Sequence, residues 1–92
     1  MVKFTLTNKA VEDFSNIWNY TFDTWSESQA DKYYRMLLES CQDIAGDTVT
    51  GKHYPEIDED IFGFKCGQHI IFYTSLPKEK ILIARILHSK WT

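Results

Sequence analysis

The sequence predicts an α+β fold in which a helical hairpin packs on one face of a small, mainly antiparallel sheet. Apolar residues recur at steps of three and four between residues 10 and 45, as in helices. They alternate with a period of two over residues 2–6 and 61–88, as in strands. Almost no linker separates the two helical segments, so they must form an antiparallel hairpin. The predicted order is β-α-α-β-β-β within a single domain that spans residues 1–92.

The first strand and the first helix follow from residues 2 to 25. Val2 to Leu6 alternates apolar and polar residues, as in a strand with one buried face. Thr7 or Asn8 can cap the helix that follows. We expect its apolar stripe to lie in the core, and the stripe consists of Ala10, Phe14, Ile17, Trp18, Phe22 and Trp25. The opposite face, predicted to meet solvent, consists of Glu12, Asp13, Asn16 and Asn19.

A capping box marks the second helix, because Ser26 can accept from the backbone three residues on while Gln29 reaches back. This helix is predicted to run to about Ala45, with Gly46 as the C′ residue. Residues 47–60 are polar and predict a connection with at most a short strand. A three-strand meander then follows, with strands at Ile61–Cys66, His69–Ser75 and Ile81–His88 and loops at 67–68 and 76–79.

Charge is distributed unevenly along this chain of 92 residues, which has a net charge of −3. A protein that coats nucleic acid is normally basic, so we expect no direct sequence-specific nucleic-acid binding. Residues 1–50 carry four bases against eight acids, whereas residues 65–92 carry five bases against Glu79 alone. The two halves can therefore meet different partners. The N-terminus lacks an apolar signal region and no stretch approaches ~20 apolar residues, which predicts a cytoplasmic protein without a membrane partner.

No metal or cofactor site is predicted. Cys41 and Cys66 lie far apart, outside any C-x-x-C pattern, and the histidines are scattered, so we interpret both cysteines as free thiols. The acidic run between Glu56 and Asp60 lacks the pattern of a calcium loop and is interpreted as a solvated turn.

The last thirteen residues, K-I-L-I-A-R-I-L-H-S-K-W-T, combine an apolar strand with cationic and aromatic side chains. Arg85 needs a partner inside such a run. It either contacts a target or a phosphate, or it forms a structural ion pair with Glu12 or with an acid from the 56–60 run. Regular alternation would place Arg85 on one face with Ile83, and His88 on the other.

Several segments resemble the ParE toxins of the RelE/ParE superfamily. In chain order they are L-T-N-K-A-V-E-D-F-S-N-I-W-N-Y from Leu6, W-S-E-S-Q-A-D-K-Y-Y from Trp25, G-K-H-Y-P-E-I from Gly51, H-I-I-F-Y from His69 and R-I-L-H from Arg85. The resemblance covers almost the whole chain. It implies a β-α-α-β-β-β fold whose first strand lies beside the last.

The resemblance also implies a function: the toxin of a type II toxin–antitoxin system of the plasmid-stabilisation kind. Such a toxin is held inactive by a ParD-like antitoxin and, once released, inhibits DNA gyrase by binding, with the gyrase A subunit as the expected target. The expected target-binding residues are Arg85, His88, Lys90 and Trp91, and the expected antitoxin-facing residues are Tyr20, Tyr33 and Tyr34. Trp91 and Thr92 depart from the Met-Asp ending of ParE-like tails.

Two alternative functions are also compatible with these residues. A RelE-like, ribosome-dependent mRNA interferase would need an acid, a base and cations. The tail could supply them with Arg85, His88 and Lys90, and the neighbouring strands add Lys65, His69 and Tyr73. Against this alternative, no tyrosine follows Tyr73, and Trp91 cannot exchange a proton in its place. The competing interpretation of His88 is a hydrogen-bonded structural residue and not a general base. The second alternative is a degenerate toxin that retains only antitoxin binding.

Overall fold

Two helices pack on one face of a five-stranded sheet, as predicted. The computed structural model describes residues 3–46, 48–78 and 80–90. In chain order its elements are β1 (Lys3–Leu6), α1 (Asn8–Thr24), α2 (Glu27–Ala45), β2 (Lys52–His53), β3 (Phe62–Cys66), β4 (His69–Leu76) and β5 (Lys80–His88). The sheet order is β1-β5-β4-β3-β2, with β1 parallel to β5 and all other pairs antiparallel. The two-residue β2 is the short strand that the polar connection allowed.

Local hydrogen bonds fix both helix starts where the sequence predicts them. The hydroxyl oxygen of Thr7 accepts from the N–H of Ala10 at 3.0 Å, and that of Ser26 accepts from the N–H of Gln29 at 3.1 Å. Gly46 follows α2 as predicted, although its φ of −81° is not the left-handed conformation for which glycine is usually needed. Gly67 does adopt a positive φ of 60°, which the two-residue loop between β3 and β4 requires.

The core lies between the helices and one face of the sheet. Its buried members come from both helices and from the three central strands: Ala10, Phe14, Ile17, Leu37, Cys41, Ile44, Cys66, Ile71, Tyr73, Ile83 and Ile86. On the opposite face, Tyr54 crosses Gly63 and packs edge-on against Phe72, with ring centroids 5.3 Å apart. A Cβ at Gly63 would lie 2.7 Å from the Tyr54 ring, so glycine permits this close approach.

A bulge interrupts the regular alternation of β5, so the condition under which Arg85 would share a face with Ile83 does not hold. Phe72 pairs with Arg85 and Tyr73 pairs with Ile83, so Ala84 is an extra residue on β5. Because of that extra residue, Ile83 and Ile86 both point to the helix-covered face and both are buried. Arg85 therefore shares the open face with Phe72, and His88 returns to the helix-covered side opposite His69.

The predicted aromatic core stripe of α1 is also partly wrong. Phe14 and Ile17 are buried, but Phe22 is 45% exposed and Trp25 is 74% exposed. Trp18 is half-buried and stacks on Phe22 with ring centroids 5.3 Å apart. The second half of α1 extends past the core and presents aromatic rings to solvent.

Candidate functional site

A groove of about 810 Å³ lies where the second half of α1 faces the end of β5. Its first wall consists of Asp13, Asn16, Ile17, Tyr20, Thr21 and Trp25 of α1. Ile86, Leu87 and His88 form the opposite wall, and Gln29, Tyr33, Gln68 and His69 close one end. Tyr20 and Trp25 are 68% and 74% exposed, so large aromatic surfaces border a deep depression. That combination is typical of protein-binding sites.

Asp13 joins the two walls through three hydrogen bonds. Its carboxylate accepts from Arg85 Nε at 2.8 Å and from Arg85 Nη2 at 3.0 Å, and it also accepts from the N–H of Ile86 at 3.0 Å. The side chain of Asp13 is almost buried, whereas that of Arg85 is 42% exposed. The bond to Asp13 is the main reason that the pKa of Arg85 is raised further above its already high ordinary value. We call this arrangement the Asp13 clasp.

The clasp forms at the point where β1 stops supporting β5. The pairing of β1 with β5 ends at Leu6 and Ile83. Thr7 then donates from its N–H to the carbonyl of Ile83 and from its hydroxyl to the carbonyl of Ala84. The carboxylate of Asp13 satisfies the next outward N–H, that of Ile86. Side chains of α1 and its N-cap thus replace a strand at this edge.

Tyr33 holds a second polar network at the closed end of the groove. Its hydroxyl oxygen accepts from the N–H of Gln68 at 2.9 Å and lies 2.7 Å from His69 Nδ1, which is positioned to accept its proton. The His69 ring meets the His88 ring edge to face at 5.5 Å. Burial, and then the neighbouring His88, lower the pKa of His69, so His69 is neutral near pH 7.

The structure brings some of the expected antitoxin-facing tyrosines together and separates one. Tyr20 and Tyr33 both line the groove. Tyr34 lies elsewhere, 38% exposed and packed against Phe14 with ring centroids 5.3 Å apart. Burial raises the pKa of Tyr33, so its phenol stays protonated and can donate to His69. The three tyrosines therefore do not form one surface.

The expected target-binding residues cluster at the end of β5 as far as the structure describes them. Arg85 lies beside the groove in the Asp13 clasp, and His88 lines the groove. Lys90 is exposed, and its N–H donates to His88 Nδ1 at 3.1 Å. Trp91 lies outside the described residues. The partner of Arg85 is Asp13, not Glu12 or an acid of the 56–60 run.

The sequence analysis misplaces Asp13, a central residue of this site. Asp13 was assigned to the solvent face of α1, yet it lies three residues after Ala10 and four before Ile17, which places it on the buried stripe. It is 9% exposed. The sequence offers His69 a role only within a possible RNA-cleavage set, and the structure places it at the same sheet end as the end of β5, where it lines the groove.

Within residues 3–46, 48–78 and 80–90, no group of three His, Cys, Asp or Glu side chains is placed to hold a metal ion. Cys41 and Cys66 are buried free thiols, and burial raises the pKa of Cys41 to about 12. Over the same residues, no helix combines the length and the hydropathy needed to cross a membrane.

Comparisons with known proteins agree with this geometry. The family model for the ParE toxin of the type II toxin–antitoxin system parDE matches residues 4–90. Toxin ParE1 of Mycobacterium tuberculosis is 27% identical over 88 residues, which cover 96% of this chain and 90% of the relative. Toxin ParE1 of Caulobacter vibrioides shows the same identity and coverage. A solved chain from the chromosomal ParDE toxin–antitoxin system of P. aeruginosa has the same fold, with a TM-score of 0.78 at 16% identity over 96% of each chain. This chain belongs to the family of ParE toxins of type II toxin–antitoxin systems.

Proposed function

We propose that this ParE-type toxin is neutralised by a cognate ParD-like antitoxin and, when free, inhibits DNA gyrase by binding its A subunit. In this proposal the toxin is not an enzyme. Its groove and the cationic end of β5 recognise proteins, and activity depends on occupancy and not on turnover.

The observation that carries this proposal is the Asp13 clasp. A ribonuclease of this superfamily needs unengaged cations to stabilise the charge that develops on the phosphate. Here two nitrogens of the Arg85 guanidinium are engaged by one carboxylate at 2.8 and 3.0 Å. A carboxylate in this place would also repel a phosphate. The geometry therefore favours a structural and recognition role for Arg85 over catalysis.

Antitoxin binding is supported by the exposed aromatic wall of the groove. Tyr20 and Trp25 are 68% and 74% exposed, and neighbouring exposed aromatic side chains are typical of protein-binding surfaces. The related chain from P. aeruginosa comes from a ParDE toxin–antitoxin system. We assign Tyr20 and Tyr33, which line the groove, to one antitoxin contact, and Tyr34, which packs against Phe14, to a separate contact.

Neutralisation follows from the overlap of the two proposed surfaces. His88 lines the same groove as Tyr20 and Tyr33, and Arg85 and Lys90 lie at its border. A partner that fills the groove therefore covers part of the proposed target-binding set of Arg85, His88, Lys90 and Trp91. An antitoxin bound in the groove therefore excludes gyrase, because it covers residues that gyrase would contact.

Two assays in parallel test the proposed function. The purified toxin should inhibit gyrase supercoiling, leave mRNA intact in a translation-coupled cleavage assay, and lose its effect when the antitoxin is added. Cleavage of mRNA with untouched gyrase would replace this proposal with the mRNA interferase. Neither effect, with antitoxin binding retained, would identify a degenerate toxin.

A truncation tests the role of the tail. The N–H of Ser89 donates to the carbonyl of Gln68 at 2.8 Å, so Ser89 still belongs to the sheet end, and the cut should fall after it. Removal of residues 90–92 should abolish growth inhibition while leaving the melting temperature and antitoxin binding nearly unchanged. Toxicity that survives the truncation would refute the role assigned to Lys90 and Trp91.

A further inference from the structure

The open face of the sheet, which is the side turned away from the helices, carries apolar and cationic side chains in a regular arrangement. Residues that are paired across neighbouring strands point to the same side of a sheet. One row of paired residues on this face crosses β3, β4 and β5 and consists of Lys65, Ile70 and Leu87. The next row crosses the sheet from β2 to β5 and consists of Lys52, Gly63, Phe72 and Arg85. Each row therefore includes a cation on one or both sides of its apolar middle.

Gly63 lets several side chains converge on the middle of the two rows. Atoms of Tyr54, Ile70 and Phe72 lie 2.7, 2.8 and 3.2 Å from the position that a Cβ of Gly63 would take. Leu87 pairs with Ile70 and is half-buried, as are Ile70 and Tyr54. Adjacent strands are about 4.8 Å apart, so the cations of β3 and β5 lie about 10 Å from each other across the sheet. The apolar strip between them is wide enough to receive one ridge of a partner.

The charge of the open face has a single sign. Within the described residues, the strands contain no Asp or Glu. The charged side chains that these strands direct to the open face are Lys52, Lys65, Lys80 and Arg85. Arg85 is paired with Asp13, but no acid of the described part of the chain forms an ion pair with the three lysines. A partner with carboxylates around an apolar ridge would complement this face, whereas a second copy of the same face would be repelled.

The packing of the open face favours a protein partner over a nucleic acid. Single-stranded nucleic acids bind to exposed aromatic rings on which their bases stack. Here the Lys52 ammonium lies over the Tyr54 ring, 5.3 Å from its centroid, and Phe72 is only 3% exposed. The carboxylate of Asp13, which binds Arg85, would also repel a phosphate. The half-buried aliphatic side chains instead suit an apolar ridge of a protein.

We propose that the open face is a contact surface for the target of the toxin and that it binds an acidic protein surface with an apolar ridge. The ridge packs against Tyr54, Ile70 and Leu87, and the carboxylates beside it face Lys52 and Lys65. Arg85 also lies on this face, so the contact is continuous with the proposed target-binding end of β5. This inference rests on the proposed inhibition of gyrase by binding, and it locates part of the target contact on the side of the sheet away from the helices.

Charge reversal at single lysines tests this surface. Lys65→Glu and Lys52→Glu each place a carboxylate in one row of the open face, and both lysines are exposed, so neither change should unfold the domain. Lys32→Glu is the matched control, because it changes the net charge by the same amount at an exposed position of α2. Circular dichroism and melting temperature check that all three variants fold. The measured quantity is the toxin concentration that halves supercoiling by purified gyrase holoenzyme.

We expect Lys65→Glu and Lys52→Glu to raise that concentration about tenfold or more relative to Lys32→Glu, because like charges then meet across the contact. Acetylation of lysine amines, measured by mass spectrometry on the wild-type toxin, is an independent readout. Bound gyrase should protect Lys52 and Lys65 and leave Lys32 reactive.

Three other results would overturn the proposal in distinguishable ways. Equal inhibition by the three variants, with Lys65 reactive in the gyrase complex, would exclude the open face and leave inhibition of gyrase intact. Absence of inhibition and of binding by the wild-type toxin would overturn both. Protection of Lys65 by single-stranded RNA, without protection by gyrase, would assign the face to a nucleic acid.

Discussion

The two halves of β5 differ in what lies beside them, although they belong to one continuous strand. From Lys80 to Ile83 the strand is flanked by β1 on one side and β4 on the other. From Ile86 to His88 it keeps β4, but its outer neighbours are the Asp13 carboxylate and an open groove. The bulge at Ala84 separates the two halves. One strand thus serves the core with its first half and leaves its second half available for recognition.

This difference shows how a small domain can combine a stable core with a partly unpaired strand edge. An unpaired edge invites aggregation unless it is covered or charged. Here a single carboxylate covers the first outward N–H, and cationic residues follow. The remaining edge groups are confined to a groove wall, where a specific partner can reach them.

Replacing an isoleucine in the first half of β5 should have the largest effect on stability. Ile83 is fully buried, so Ile83→Ala should lower the free energy of unfolding by about 2–5 kcal/mol through lost burial and a residual cavity. Leu87→Ala is the matched control in the second half, where the side chain is half-buried, and it should cost roughly 1 kcal/mol. Urea denaturation measures both. Equal losses would contradict the division of the strand into two halves.

Breaking the Asp13 clasp should have the next largest effect. Asp13→Ala leaves the N–H of Ile86 and the Arg85 guanidinium without their acceptor, which should lower the free energy of unfolding by about 1–3 kcal/mol. Asp23→Ala, an exposed acid farther along α1, serves as control and should change it by less than about 0.5 kcal/mol. If the two alanine variants unfold at the same urea concentration, Asp13 does not support the edge.

Acidification should weaken the fold through His69. Its pKa is lowered in the folded state, so the unfolded chain binds the proton more readily below pH 6.5. Stability should therefore fall as the pH drops from about 7 through the folded pKa, by at most about 1.4 kcal/mol per pH unit for this group. The His69→Asn variant keeps an acceptor for Tyr33 and should show a shallower dependence of melting temperature on pH. Identical slopes in the two proteins would exclude His69 as the source.

Removing the aromatic wall of the groove should barely affect stability while weakening antitoxin binding. Tyr20→Ala and Trp25→Ala should each change the free energy of unfolding by less than about 0.5 kcal/mol, because both side chains are mostly exposed. Binding measured by calorimetry should weaken about tenfold or more in each case. Phe22→Ala is the control, since Phe22 is an exposed aromatic residue of α1 outside the groove. If Phe22→Ala weakens antitoxin binding as much as the groove variants do, the groove is not the antitoxin-binding site.

The sequence was sufficient for the architecture because long periodic segments and strong caps specify it locally. Thr7, Ser26 and Gly67 each perform the role that their residue type favours at that position. The prediction that the whole aromatic stripe of α1 lies in the core was partly wrong. Periodicity identifies one face of a helix, but it does not show how far the underlying sheet extends. Phe22 and Trp25 continue the stripe beyond the core and lie in solvent.

The candidate site was less accessible to sequence reasoning because it depends on one extra residue in one strand. The bulge at Ala84 shifts every later side chain of β5 to the other face, and nothing in the local sequence marks it. Arg85 was correctly identified as a residue that needs a partner. Its partner could not be chosen among many acids, since the choice depends on the angle at which α1 crosses the sheet edge.

The most direct test of binding against catalysis is a stoichiometric titration of purified toxin against a fixed amount of gyrase. We expect inhibition of supercoiling to rise with toxin until the toxin matches the gyrase A subunits and then to saturate. Equimolar antitoxin should restore activity completely, because nothing has been cleaved. Arrest by far fewer toxin molecules than targets, with damage that antitoxin cannot reverse, would contradict the account and establish turnover.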